Sequence, residues 1–157
     1  MLLNDARTSA SRTQRGFSLV EVMIALIIMS VGMLGIAGLY VQSMQAGRTS
    51  IFRHNAVTLA GDVADRIRSN PRAGVAYTAA TGTNNNCIAM DTDCDEAEMA
   101  GHDILLWQQQ ATDSLPRGAV AITFDNTVVP PNYTIAVTWD ETGVAMDYTV
   151  TIPVFPI

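Results

Sequence analysis

Residues 16–41 read GFSLVEVMIALIIMSVGMLGIAGLYV, and across Phe17–Val41 the one charged side chain is Glu21. Twenty-five residues of this character make a helix able to cross a bilayer, which takes roughly 20. A cleavable secretory signal has an apolar stretch of about 7–15 residues closed by a small-residue site, and this stretch overruns it. A buried core helix explains neither the length nor the flank. The preceding residues, MLLNDARTSASRTQRG, carry Arg7, Arg12 and Arg15 against Asp5 alone. A positive flank stays in the cytoplasm and sends the C-terminal part of the chain outside. The segment therefore reads as a retained membrane helix. A carboxylate inside such a helix is costly and is generally paired or functional. Snorkelling to the interface is the alternative for Glu21, which stands five residues after Gly16. Gly32, Gly35 and Gly38 recur every three residues. Such a strip lets helices approach closely in a membrane, or it loosens the helix, since each Gly costs roughly 1 kcal/mol relative to Ala in water.

Composition narrows the function classes. The 157 residues suit one domain with an appended helix. Hydrophobic residues make up 48% and charged residues 15%, which excludes a disordered chain. The net charge is −6 and all nine basic residues are Arg, a poor basis for binding nucleic acid through phosphates. Two Cys and two His leave little material for a zinc site or a Cys–His catalytic pair. With no G-x-S-x-G, P-loop or zincin pattern, the reading is a non-enzyme without a cofactor.

Beyond the membrane segment, Ile51, Val57, Ala60, Ala64 and Ile67 recur at helical spacing and predict one apolar stripe. Asp62 and Arg66 form an i,i+4 pair in the favourable order. Asn70-Pro71 is a stop, because the residue before Pro avoids helical geometry. The predicted helix runs over 17–69, and His54 within it reads as exposed or at an interface. The segmentation is a leader at 1–16, a membrane helix at 17–41, its soluble half at 42–70, and a head at 71–157. Residues 71–95, rich in Ala, Thr, Gly and Asn, predict a surface loop. Cys87 and Cys94 enclose six residues. In an oxidising compartment they can form a disulfide, the alternative being two free thiols. Asp91, Asp93 and Asp95 are weak metal candidates. They open like a calcium loop, but Glu96 replaces the expected Gly and His102 the expected Glu. The bland reading is a solvated loop with Asp95 or Glu96 favouring a helix start.

Met99, Ile104, Leu105, Trp107 and Leu115 predict an amphipathic helix over 96–114, ended by Pro116, with Trp107 a core anchor. Three period-2 runs come next: Val120/Ile122/Phe124, then Tyr133/Ile135/Val137/Trp139, then Met146/Tyr148/Val150/Ile152. They predict an antiparallel sheet with one buried face. Asp140-Glu141-Thr142-Gly143 turns the last two strands into a hairpin.

Gly16-Phe17-Ser18-Leu19-Val20-Glu21, the basic leader and the apolar run together resemble the signal of type IV prepilins. That resemblance implies cleavage after Gly16 by a prepilin peptidase, N-methylation of Phe17, and a role in filament assembly for Glu21, whose charge a neighbour's amino terminus would neutralise. The implied fold is α+β, the type IV pilin fold: a long N-terminal helix, half membrane and half soluble, on a small antiparallel sheet of three or four strands. The stretch Leu59-Ala60-x-Asp62-x-Ala64-Asp65-Arg66-Ile67-Arg68-Ser69-Asn70-Pro71 is similar to minor pilins of the PilV, or pilus modification, family. So are Asp103-x-x-x-Trp107, Leu115-Pro116 and the glycine-rich run at 32–38. This likeness implies a structural and assembly component. Its partners would be other minor pilins, a tip adhesin, the major pilin, the prepilin peptidase and the inner membrane. Such a protein would sit in a bacterial inner membrane with a periplasmic head, then at the pilus tip and cell surface, where it would serve twitching motility and adhesion. The alternatives are a minor pseudopilin of type II secretion and a membrane-tethered calcium-binding or adhesive module.

Overall fold

A computed structural model describes residues 16–88 and 93–155. Residues 1–15, with Arg7, Arg12 and Arg15, and Asp91 in the acidic run, lie outside the described residues. In chain order the elements are helix α1 (Leu19–Ser69), a 3-10 turn (Pro71–Thr78), helix α2 (Glu96–Ser114), and strands β1 (Ala119–Asp125), β2 (Asn132–Glu141) and β3 (Val144–Pro153). The chain divides into two compact units at Met44/Gln45.

The first unit is helical, and each of its residues from Gly16 to Met44 is exposed. Ser18 starts the helix: its Oγ accepts from the Val20 N–H at 3.3 Å and its carbonyl from the Val22 N–H at 3.2 Å.

The second unit is an α+β head, in which the rest of α1 packs with α2 and a three-stranded antiparallel sheet ordered β1-β2-β3. α1 stops at Ser69, as Asn70-Pro71 dictates, with Arg66 and Arg68 in its last turn complementing the helix dipole. Along the sheet, Tyr133, Ile135, Val137 and Trp139 alternate inward on β2 and bury completely or nearly so. β1 and β3 flank β2 in the register Ile122↔Ile135↔Val150. The hairpin after β2 closes through Thr142 and Gly143, both at positive φ (50° and 85°), the geometry of a tight two-residue turn.

Two expectations need correction. The buried face of α1 consists of Ala56, Leu59, Ala60, Val63, Ala64 and Ile67, whereas Ile51 and Val57 are 59% and 46% exposed. The helix meets both α2 and the sheet, so its buried arc is broader than the single stripe and turned away from Ile51 and Val57. The start of the expected loop is instead a 3-10 turn that sends Ala73 and Tyr77 into the core. Tyr77 stacks on Trp107, with ring centroids 5.7 Å apart, and meets Tyr133 edge-on at 6.3 Å. One aromatic in a run of small residues leaves no periodic signal, yet its ring fills the junction of three elements.

Candidate functional site

The prepilin-like residues fall at the open end of α1. Glu21 lies in its first turn and shares a shallow apolar groove with Phe17, Val22, Ala25, Leu26 and Met29. Ser18-x-x-Glu21 has the spacing of a capping box, in which the carboxylate bonds back to the Ser18 N–H. Among the described residues Glu21 makes no such bond and no ion pair. Gly32, Gly35 and Gly38 are not demanded by this chain. A Cβ on any of them would meet nothing within 4 Å, and all lie within regular helix.

In the head, residues of the stretch 59–71 and of Asp103-x-x-x-Trp107 come together across α1 and α2. The Arg66 guanidinium holds Asp103 at 2.7 Å and Asp62 at 3.4 Å. The Trp107 indole donates to Asp62 at 3.1 Å, and the Tyr77 hydroxyl donates to the second Asp103 oxygen at 3.1 Å. Asn70 donates to the Glu96 carbonyl at 2.9 Å. Asp103 is 3% exposed, so a carboxylate that would be costly to bury alone is held by a cation and a hydroxyl. Burial pushes the Tyr77 hydroxyl well above its ordinary value, with the Asp103 charge acting in the same direction against the Asn70 hydrogen bond. The expected Asp62–Arg66 pair is therefore present but is the longer half of a bridge to Asp103, whose partner lies 37 positions away and leaves no local trace.

Cys87 and Cys94 are joined by a disulfide. They tie a strap, residues 80–88, along α2. Gln108 donates to the Ala80 carbonyl at 2.8 Å, the Thr83 N–H to the Gly101 carbonyl at 2.9 Å, and Asn85 to the Glu98 carbonyl at 2.8 Å. Gly82 passes so close that a Cβ would stand 2.0 Å from the Leu105 nitrogen.

The acidic run serves structure in this arrangement. Asp95 is the N-cap of α2, accepting from the Ala97 and Glu98 N–H groups, while Glu98 returns a bond to the Asp95 N–H. Asp93 is exposed, and His102, at the position where a calcium loop needs Glu, is buried in α2. Among the described residues no group of three acidic, His or Cys side chains is placed to hold a metal ion. His54 is exposed on α1.

A long helix, exposed and apolar in its first half and packed on a three-stranded sheet in its second, defines a pilin-like class of protein. Two adjoining family matches agree with it: residues 11–37 match the prokaryotic N-terminal methylation motif, and residues 38–105 match the type IV pilin Tt1218-like family. Together the two matches support a type IV pilin-like protein. No curated protein and no solved structure gives a significant match to it.

Proposed function

We propose that this chain is a minor pilin of a type IV pilus, which joins other minor pilins to prime polymerisation and enters the pilus at its tip. In this reading residues 1–16 are a leader cut after Gly16 by a prepilin peptidase, and Phe17 becomes the methylated N-terminus. Residues 17–41 hold the protein in the bacterial inner membrane, with 42–70 continuing the helix and 71–157 forming a periplasmic head. Such a place would give it a part in supporting a tip adhesin, in twitching motility and in adhesion. The observation that carries the proposal is the first half of α1, whose every side chain is exposed and whose one carboxylate is without a partner among the described residues. Lipid covers the apolar side chains of such a helix, and a neighbouring subunit would supply the cation that the carboxylate calls for.

Charge favours a minority subunit over a major one. In residues 71–157 two Arg oppose eleven Asp and Glu, a formal net charge of −9. Heads this acidic repel one another when stacked side by side.

The processing step is tested by intact mass of the protein from the membrane fraction. The expected species begins at methylated Phe17, and a Gly16→Leu variant accumulates as the full-length precursor. Normal maturation of that variant would overturn the peptidase assignment.

A further inference from the structure

Several elements end together where α1 stops. Asn70 reaches the Glu96 carbonyl and brings in the start of α2. The Tyr133 hydroxyl donates to the Gly74 carbonyl at 2.7 Å and brings in the start of β2. Asn132 pairs with Pro153, and the Val154 N–H donates to the Pro131 carbonyl at 2.9 Å, so the β1–β2 loop and the tail after β3 lie side by side. This end of the head exposes Val129 (98%), Val75 (68%), Phe155 (68%) and Val128 (38%), while Tyr133 and Val154 turn inward. Singly scattered apolar side chains are ordinary on a surface; a group of them rimmed by polar residues marks an interaction site.

The rim is acidic. Asp93, Asp95, Glu96 and Glu98 are exposed at the start of α2, and Asp125 is exposed at the end of β1. Arg72 offsets part of this through Glu96, 3.8 Å away. We propose that this end is a docking surface for a protein other than a second copy of this chain: a partner with an apolar cleft bordered by Arg or Lys. A second copy would set acidic rim against acidic rim, a juxtaposition that costs free energy. An anionic lipid surface is repelled in the same way. Pro130 and Pro131 restrict the backbone beside Val129, so little conformational freedom is lost when the loop is covered.

The test uses the full chain in its own membrane, with the photo-crosslinking residue p-benzoylphenylalanine at position 129 and the adducts identified by mass spectrometry. The expected adduct is a protein of different sequence, joined through a peptide bearing Arg or Lys. Its yield falls about tenfold with Phe155→Asp and, separately, with Asp93→Arg. Both positions are exposed, so protein level and the Cys87–Cys94 bond stay unchanged. The same probe at position 144, on the hairpin, keeps whatever yield it has. An adduct with a second copy, an adduct with lipid, the absence of any adduct, or a yield indifferent to Asp93→Arg overturns the proposal. Cleavage after Gly16 is read from the same samples, so failure of the minor-pilin reading is distinguishable from failure of this one.

Discussion

Glu21 is a carboxylate on an apolar helix, without a partner among the described residues. The proposed partner is the Phe17 amino group of a neighbouring helix, positioned where water is scarce. Glu21→Val, Glu21→Ala and Glu21→Gln are then expected to insert and to be cleaved after Gly16 as the wild type is, because a less charged helix enters lipid at least as well. Assembly is expected to suffer, since an ammonium left unpaired between packed helices costs several kcal/mol. Crosslinking to other pilins and counts of surface pili measure this, and wild-type values in all three variants would return Glu21 to the snorkelling reading. Arg66 and Asp103 show the opposite case at the same scale. There the buried carboxylate is already satisfied within the chain, so its role is to hold α1 against α2.

The strap and the hairpin carry predictions for elements. Gly82 lies against the α2 backbone, where a side chain has no space and the neighbour is main chain that cannot rotate aside. Gly82→Ala is expected to destabilise the head by roughly 2 kcal/mol and to lift the strap, raising proteolysis at residues 80–88; unchanged urea unfolding and unchanged cleavage would refute the close approach. At the hairpin, the Trp139 indole and then the Thr49 hydroxyl donate to Glu141, both at 2.8 Å, and hold its carboxyl below the ordinary value of 4.5. A carboxyl lowered by folding stabilises the protein above its unfolded value, and that contribution is lost as pH falls from about 4.5 through the lowered folded value. Glu141→Gln is thus expected to melt below the wild type at pH 7, with the gap closing towards pH 3. A gap independent of pH would mean that the charge of Glu141 is not what matters.

For the molecule as a whole, the −9 charge of residues 71–157 sets the expectation. Cells in which this chain is the one pilin expressed should yield no filaments in sheared fractions under electron microscopy, while co-expression with other pilins places it in them. Abundant filaments of this chain alone would overturn the minority-subunit reading.

Much of this was legible in the sequence, for local reasons. The length of α1, its stop at Asn70-Pro71 and the inward runs of the three strands come from backbone periodicity and from what proline forbids. The prepilin-like residues Gly16, Phe17 and Glu21 were legible through a resemblance to the prepilin signal, a motif that lies within six positions. Contacts between distant residues were beyond it. Which arc of α1 is buried depended on α2 and the sheet both meeting it, which moved Ile51 and Val57 outward and Leu59 and Val63 inward. Asp103 found Arg66, and Tyr77 found Trp107, across 37 and 30 positions. Residues 80–88 became a strap because α2 offered carbonyls and a glycine-sized approach. The apolar and acidic end of the head exists because α1, α2 and two ends of the sheet stop at one level. Pattern along a chain reports which face each element can bury; tertiary packing alone decides what covers that face and what is left exposed.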